Sequence, residues 1–373
     1  MFLPIGSRDD FGDIVTNRYR VFEAFRHVIT FRGYKEISTP VVEYANTFTN
    51  KYVEMKLQNM MKWFNPEGEI EVLRPDWTTA IARALVKGEI TEQKWAYQGS
   101  IFRKDLPGVE SRQAGVEIIH APPLLGESEC LLMARQFLSK LKIDDYLIEL
   151  GHTTIYDELT RDLQMTSEQE ETLRQAMHDK RKDEVYQFVH DLGNKEMAKE
   201  LSDLIDAYGT IEVLDEYEKR WQHHQTLYKT VKHMKQLAAI LKQSGEQEIL
   251  VDLGRVRNLP YYSGLMFRGF LKENGATCFS GGRYDQLYAN YGQQTSAVGL
   301  AFFVDTLAEQ LPAEAPFKKL CIIASHESIA YAEQLREHYA DYIVDIVYEK
   351  PDKNYDLVLE IVKNNDRFEV TEK

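Results

Sequence analysis

Two apolar, strand-like runs joined by a short loop constrain the fold of this chain more than any other feature. They cover residues 95–104 and 113–119, and the loop DLPGVES joins them. Parallel strands need a crossover of about a dozen residues or more, whereas antiparallel strands can be joined by a short turn. We therefore predict a long antiparallel hairpin here, and an antiparallel sheet around it.

Helical patterns flank these strands. Asp9 and Asp10 are candidate caps for a helix that extends to about Phe31. A second helix is predicted over residues 78–86, directly after a short apolar strand, and another over residues 296–311. The combination of an antiparallel sheet with helices that follow several of its strands predicts an α+β protein.

The composition changes along the chain and predicts its domain organisation. Residues 157–224 are rich in charged side chains at helical spacing, so we predict a helical insertion within a core of residues 1–311. Pro312 and Pro316 bracket a short linker. Residues 316–373 alternate strand, helix, strand and strand, which predicts a small C-terminal α/β unit.

The charge balance bears on possible partners. The chain has 45 Lys and Arg against 59 Asp and Glu, a formal net charge of −14. Nucleic-acid-binding proteins need positive charge to neutralise phosphates, so this balance argues against a tRNA partner. No apolar run reaches the roughly 20 residues of a membrane span. The cysteines, Cys130, Cys278 and Cys321, lack metal-ligand spacing, so we expect buried thiols in a cytoplasmic protein without a metal or cofactor.

A second segment places polar side chains between two strand-like runs. Residues 251–270 read VDLGRVRNLPYYSGLMFRGF and predict a hairpin with Arg257, Tyr261 and Tyr262 at its turn. A guanidinium and two phenols suit a pocket for a small zwitterion. Two other interpretations are open: tyrosine favours strands, and an arginine at a strand end is often solvated. Neighbouring strand residues also point to opposite faces, so one tyrosine alone would reach a pocket.

Four segments, taken in order, resemble the catalytic core of class II histidyl-tRNA synthetases. They are TPVVEY, LRPDWTTAIAR, FRKDLPGVESRQAGVEII, and the run from RVRNLPYYSG through SGGRYDQL to TSAVGLAFFVDTL. The resemblance covers most of residues 1–310 and implies a synthetase-like antiparallel sheet with flanking helices. TPVVEY resembles motif 1, which forms the dimer interface in that family. It therefore implies a homodimer through the region from Pro40 to Tyr44.

The same resemblance implies a histidine-binding site. Asp76 matches the position that meets the ammonium group, where the family usually has glutamate, and Asp76 also suits a helix N-cap. Glu117 and Tyr262 match the partners of the imidazole, and Arg257 matches an arginine between carboxylate and phosphate. The full set of implied histidine-binding residues is Asp76, Thr78, Arg103, Gln113, Glu117, Arg257, Tyr261 and Tyr262.

The resemblance fails on the side that binds ATP. Phe303 stands where the family has a glycine, and Thr306 stands where it has an arginine that stacks on adenine. The DLPGVES loop is shorter than the family's basic loop, and its Asp105 and Glu110 would repel a triphosphate. Residues 316–373 hold eight Lys and Arg against twelve Asp and Glu, which does not suit an anticodon reader.

This combination resembles the synthetase-like regulatory subunits of ATP phosphoribosyltransferase. The resemblance implies a chain without catalytic residues of its own that acts with a short-form catalytic subunit in histidine biosynthesis. It also implies feedback inhibition by L-histidine. Two alternatives stay open at this point: an active histidyl-tRNA synthetase, and another amino-acid-binding synthetase paralogue.

Overall fold

The computed structural model describes residues 2–3, 5–86, 93–106, 108–246, 248–256, 261–314, 316–349, 351–364 and 367–373. The chain divides into two compact units, Met1–Pro312 and Ala313–Lys373.

The first unit contains most of the helices. They are α1 Asp13–Phe31, α2 Asn46–Thr49, α3 Trp77–Leu85, α4 Leu125–Lys140, α5 Thr153–Thr160, α6 Ser167–His178, α7 Lys182–Asp191, α8 Lys195–Asp206, α9 Val213–Arg220, α10 Gln225–Gln243 and α11 Val304–Gln310, with short 3₁₀ turns at Leu57–Asn59 and Asp285–Tyr291. Helices α6 to α9 follow one another in the charge-rich region, where α6 begins with a capping box between Thr166 and Gln169.

The strands of the first unit form two sheets. Their bounds are β1 Lys35–Glu36, β2 Val42–Tyr44, β3 Lys62–Phe64, β4 Ile70–Leu73, β5 Lys94–Phe102, β6 Glu110–Ile119, β7 Tyr146–His152, β8 Tyr208–Thr210, β9 Ile249–Asp252, β10 Leu265–Leu271, β11 Thr277–Arg283 and β12 Ala297–Phe303. Within the described residues, the large sheet has the order β1-β5-β6-β12-β11-β10-β7-β9-β8, and the small sheet has the order β2-β4-β3.

The hairpin predicted from the sequence is confirmed. Strands β5 and β6 pair antiparallel from Lys94, opposite Ile118, to Phe102, opposite Glu110. Alternate residues of β6 then face opposite sides of the sheet. Val116 packs into the main apolar core together with residues of α1 and α4. Gln113 and Glu117 therefore share the other face of the sheet.

The hairpin predicted over residues 251–270 is wrong. Strand β9 pairs in parallel with β7, and β10 pairs antiparallel with the opposite edge of β7. Strand β7 thus lies between the two runs that the sequence suggested as neighbours. On its other edge, β10 pairs with β11, which follows it closely in the chain. The predicted turn residue Arg257 lies outside the described residues.

Two predicted helix boundaries also need correction. Residues 297–303 of the helix predicted over 296–311 form β12, which lies between β6 and β11, and α11 begins only at Val304. An apolar run buried on both faces of a sheet lacks the alternation that distinguishes a strand from a helix. At the N-terminus, neither of the candidate caps Asp9 and Asp10 caps α1: Gly12 is the N-cap residue, and the Asp10 carboxylate pairs with Arg18 at 2.8 Å.

The second unit is a small sheet with one helix in its described residues. Its elements are β13 Lys318–Ile323, α12 Ile329–Arg336, β14 Tyr342–Val347, β15 Leu357–Asn364 and β16 Arg367–Glu372. The strand order is β14-β13-β15-β16, with β13 parallel to both neighbours and β16 antiparallel to β15. The last strand adds one element to the predicted pattern of strand, helix, strand and strand.

Two expectations from composition concern the burial of the cysteines and the presence of membrane spans. Cys130, Cys278 and Cys321 are all buried free thiols, as expected. Among the helices that the structure describes, none combines the length and the apolar character needed to cross a membrane.

Candidate functional site

A cavity of about 200 Å³ opens on the face of the large sheet that carries Gln113 and Glu117. Strands β5, β6, β11 and β12 form its floor, and the first turn of α3 and residues 261–262 form its walls. The described residues of the predicted site that line it are Asp76, Thr78, Arg103, Gln113, Tyr261 and Tyr262. The tertiary fold therefore brings together residues from four separated parts of the sequence.

Asp76 is both the N-cap of α3 and a wall of the cavity. Its Oδ2 accepts a hydrogen bond of 2.9 Å from the backbone N–H of Thr79, as an N-cap does. Its Oδ1 accepts a hydrogen bond of 3.0 Å from the hydroxyl of Tyr261. Burial raises the pKa of the Asp76 carboxyl, and the hydrogen bonds from Thr79 and Tyr261 act in the opposite direction. Both roles weighed from the sequence are thus compatible in one side chain.

Glu117 does not itself line the cavity: it is 1% exposed, and its carboxyl group lies between the hydroxyls of Thr78 and Tyr284, which do line it. The hydroxyl of Thr78 donates to Glu117 Oε1 at 2.7 Å, and the hydroxyl of Tyr284 donates to Oε2. Burial raises the pKa of Glu117 to about 8, although both hydroxyl contacts lower it. Thr78, one of the predicted histidine-binding residues, therefore orients Glu117.

Gly299 provides the space in which this carboxyl group lies. It is the cross-strand partner of Glu117 in the β6–β12 pair. A Cβ atom at Gly299 would lie 1.9 Å from Glu117 Oε2, so any larger residue would displace the carboxylate. The requirement is steric, because the backbones of paired strands approach to within roughly 5 Å of each other.

Tyr261 and Tyr262 both line the cavity, with ring centroids 5.3 Å apart. The interpretation that one of them would point away is wrong, because these two residues precede β10 and so do not follow the alternation of a strand. Trp77 and Tyr97 add a stacked aromatic pair with ring centroids 4.9 Å apart. The indole N–H of Trp77 is buried and has no hydrogen-bond partner among the residues that the structure describes.

Arg103 and Gln113 lie towards the edge of the cavity that faces the β5–β6 loop. The guanidinium of Arg103 donates to Asp105 Oδ1 at 2.9 Å, so a carboxylate of the same loop already neutralises it. Gln113 is the cross-strand partner of Phe303, and both line the cavity. Phe303 thus lines the cavity at the position where the synthetase family that the sequence resembles has a glycine.

Internal ion pairs occupy the region next to this edge. Asp305 accepts hydrogen bonds from the backbone N–H of Arg112 at 3.0 Å and from its guanidinium at 3.3 Å. The same carboxylate pairs with Arg18 at 2.6 Å. Glu110 accepts a hydrogen bond of 2.6 Å from the hydroxyl of Ser100. The charged side chains of Glu110, Arg112 and Asp305 therefore all have partners within the chain.

Some residues of the site could not be singled out from sequence. Tyr284 lies within the SGGRYDQL segment, but nothing in the segment indicates which of its polar side chains contacts Glu117. Trp77 and Tyr97 have the pattern of ordinary core aromatics. Arg257 belongs to the predicted set but lies outside the described residues, so the structure adds nothing on its role.

The charges of the cavity indicate which ligands it can bind. Asp76 places a carboxyl group in its wall, and the buried Glu117 carboxyl contacts the lining residues Thr78 and Tyr284. Arg103, the one cation among the described lining residues, is already paired. Buried carboxyl groups need cationic or hydrogen-bond-donating partners. A small ligand with an ammonium group beside Asp76 and a polar N–H group on the side of Glu117 matches this arrangement.

Comparison with known proteins identifies relatives of this chain. A family model described as histidyl-tRNA synthetase matches residues 9–307. Proteins named ATP phosphoribosyltransferase regulatory subunit from Bacillus thuringiensis (strain Al Hakam) and Bacillus cereus (strain AH187) are 32% and 33% identical, covering 89% of this chain and 82% of each relative.

Solved structures share the fold. One is an ATP phosphoribosyltransferase regulatory subunit/histidyl-tRNA synthetase from Bacillus halodurans C, with a TM-score of 0.81, 23% identity and coverage of 94% of both chains. Another is the histidyl-tRNA synthetase from Nostoc sp. PCC 7120, with a TM-score of 0.78, 16% identity, and coverage of 100% of this chain and 96% of that one.

Proposed function

The chain belongs to the histidyl-tRNA synthetase-like family of ATP phosphoribosyltransferase regulatory subunits, and on that premise we propose that it regulates histidine biosynthesis without catalysing a reaction itself. Its partner is a short-form catalytic subunit of ATP phosphoribosyltransferase. The feedback signal is L-histidine, which binds in the cavity between Asp76 and Glu117.

The observation that carries this proposal is the contrast between the two sides of the site. On the amino-acid side, hydroxyl groups orient the carboxyls of Asp76, which faces the cavity, and of Glu117, which contacts the lining residue Thr78. On the other side, Arg112 is bound by Asp305, and Phe303 projects beside Gln113. A site for a triphosphate requires free cations, since its charge must be neutralised. The contrast supports binding of an amino acid without its activation.

Histidine in this cavity would be held at both ends. The Asp76 carboxylate meets the α-ammonium group, with Tyr261 fixing the carboxylate. Glu117 accepts the imidazole N–H, and Tyr262 lies beside the ring. Gln113 and Arg257 are the proposed partners of the amino-acid backbone. Polar sites of this kind reject analogues strongly, because an unmatched buried group costs about 1–3 kcal/mol.

A homodimer is the proposed assembly of this chain with itself. The small sheet exposes apolar side chains, with Val41 46%, Val42 43% and Phe64 73% accessible. Of these, Val42 shares one face of the sheet with Tyr44 and Trp63, which are 48% and 39% accessible, whereas Phe64 lies on the other face. The apolar patch of Val42, Tyr44 and Trp63 suits a symmetric contact between two copies. The same sheet is connected to the site, because Arg83 of α3 donates to Glu43 of β2 at 2.6 Å. A change at the interface could therefore reach the helix that carries Thr78.

Reconstitution with the short-form catalytic subunit of the same organism tests the proposal. Phosphoribosyltransferase activity of the catalytic subunit is measured alone, with this chain, and with this chain plus L-histidine. We expect a stable complex by size-exclusion chromatography and inhibition by histidine that requires this chain. Failure of the two proteins to associate, or equal inhibition with and without this chain, would refute the regulatory function.

A further inference from the structure

Two further cavities lie beside the proposed amino-acid site, and we call them together the cleft. Their volumes are about 540 and 270 Å³, and both lie between helix α6 and residues 51–56. Pro75 and Arg103 line both the larger one and the amino-acid cavity, and Tyr261 lines both the smaller one and the amino-acid cavity. A ligand held by Asp76 would therefore lie next to the cleft.

The charged side chains of the cleft are balanced in number but are paired only within each wall. Arg103 pairs with Asp105 of the same loop, and Arg174 pairs with two acids of its own helix. In the part of the chain that the structure describes, no ion pair joins α6 to residues 51–56. Besides His178, the charged lining residues are Lys51, Lys56, Arg103 and Arg174, and Glu54, Asp105, Glu170 and Glu171.

Glu54 and Arg174 are the residues best placed to span the cleft, because they line both of its cavities from opposite walls. Glu54 is exposed and has a positive φ of 50°, a conformation that is unfavourable for a residue with a Cβ atom and that glycine adopts freely. Strain of this kind is concentrated at functional sites. The long side chain of Arg174 can change rotamer, so its guanidinium can turn towards Glu54 without a movement of α6.

From these observations we infer that Glu54 and Arg174 act as a gate of the amino-acid site, in that they form an ion pair across the cleft with a ligand bound and separate without one. Lys51 and Lys56 then neutralise the two acids of α6 that Arg174 leaves, since each lysine lines a cavity together with at least one of them. The exchange leaves all of these charges paired. The inference rests on the proposed histidine site and adds two positioning residues to it.

The gate depends on the ligand because its ion pairs are exposed to solvent. Exposed pairs contribute little by themselves, since water and salt screen them and long side chains lose freedom on pairing. Without a ligand these pairs do not hold the gate closed. With an ammonium group at Asp76, closing the gate excludes water and strengthens the attraction between the ligand and the carboxylate. The ligand thus binds the closed state more tightly and shifts the chain towards it.

Charge reversal tests the gate by calorimetry of L-histidine with the full chain. The variants are Glu54→Arg, Arg174→Glu and the double variant. Each single variant places like charges across the cleft and should weaken histidine binding about threefold, whereas the double variant should bind within about 1.5-fold of the parent. A dissociation constant compares the bound with the free state, so a pair that is formed equally in both states gives no such restoration. Histidine should also dissociate faster from the single variants, because an open gate does not retain it.

A surface ion pair that has no part in the site is the matched control. Glu327 and Lys363 form such a pair at 2.9 Å in the second unit. Reversal of either charge, or of both, should leave histidine binding unchanged. A second cycle with Glu54→Gln and Arg174→Gln measures the same coupling if a reversed variant does not fold. Each of its single variants should bind about twofold more weakly, and the double variant should be no weaker than either.

Each outcome decides the inference. Unchanged binding in the single variants, or a double variant as weak as the two single effects combined, overturns the gate and leaves the proposed histidine site intact. If the parent does not bind histidine, the gate and the histidine site fail together, whereas the regulatory role is judged separately by the reconstituted activity.

Discussion

The hydroxyl of Tyr261 donates a hydrogen bond of 3.0 Å to Asp76 Oδ1, although 185 positions separate these residues in the chain. The same Asp76 carboxylate caps helix α3 through the N–H of Thr79. One acidic side chain therefore connects the segment after residue 260 to the start of α3. Because both carboxylate oxygens are held, the carboxylate is oriented before any ligand arrives, which lowers the entropic cost of binding.

Tyr261→Phe is expected to weaken histidine binding about fivefold, since the variant loses one hydrogen bond to a buried carboxylate. Calorimetry on the isolated chain measures the change. Tyr19→Phe is the control, because Tyr19 is 70% exposed on α1 and does not line the cavity. Unchanged binding in Tyr261→Phe, or equal weakening in both variants, would contradict the orienting role of Tyr261.

Glu117→Ala is expected to weaken histidine binding about tenfold or more, because it leaves the imidazole N–H buried without its acceptor, which costs about 1–3 kcal/mol. In the reconstituted complex, the variant should retain phosphoribosyltransferase activity and lose sensitivity to histidine. Glu273→Ala, at an exposed position, should change neither property. Unchanged inhibition in Glu117→Ala would place the inhibitory histidine site on the partner.

Histidine-dependent exchange between ATP and pyrophosphate should be slower than in a synthetase by about a thousandfold or more. The expectation follows from Thr306 at the position of the family's arginine and from the pairing of Arg112 with Asp305. An exchange assay with an active histidyl-tRNA synthetase as positive control measures it. Exchange at a rate normal for a synthetase would favour the alternative of an active enzyme.

Val42→Asp is expected to shift the chain from dimer to monomer at micromolar concentration, because a carboxylate in an apolar interface loses its hydration without gaining a partner. Light scattering measures the mass of the chain. Leu125→Asp is the control, since Leu125 is also exposed, at 66%, but lies on α4 and not on the small sheet. A monomeric parent chain, or a monomeric control, would exclude the proposed interface.

The stability of Glu117→Gln should depend less on pH than that of the parent. The pKa of Glu117 is about 8 in the folded chain against an ordinary value of 4.5, because the carboxyl is buried. The unfolded chain thus releases a proton that the folded chain retains across this interval, and the free energy of unfolding falls as pH rises. Residue 117 does not titrate in the variant. Its free energy of unfolding should therefore rise relative to that of the parent by a few kcal/mol between pH 5 and about pH 8.

Urea denaturation at a series of pH values measures this difference. Glu273→Gln is the control, because Glu273 is exposed. Its free energy of unfolding should follow that of the parent at every pH. Parallel pH profiles for Glu117→Gln and the parent would contradict the buried, protonated state of Glu117.

Local patterns of the sequence were sufficient to predict parts of the fold. The apolar runs on either side of DLPGVES predicted the β5–β6 hairpin, because a short loop permits only antiparallel pairing. Asp76 before an apolar helical run was recognisable as an N-cap for the same kind of reason.

The order of strands and the partners of the buried carboxylates were decided by the tertiary structure. The sequence suggested that β9 and β10 are neighbours, but β7 lies between them. Nothing near Glu117 in the chain indicates Tyr284 as its partner, or that a glycine is needed at position 299. Periodicity and capping depend on residues a few positions apart, so they can be read from sequence. Strand order and buried hydrogen bonds depend on distant segments meeting in one core, where packing and the cost of unpaired polar groups select a single arrangement.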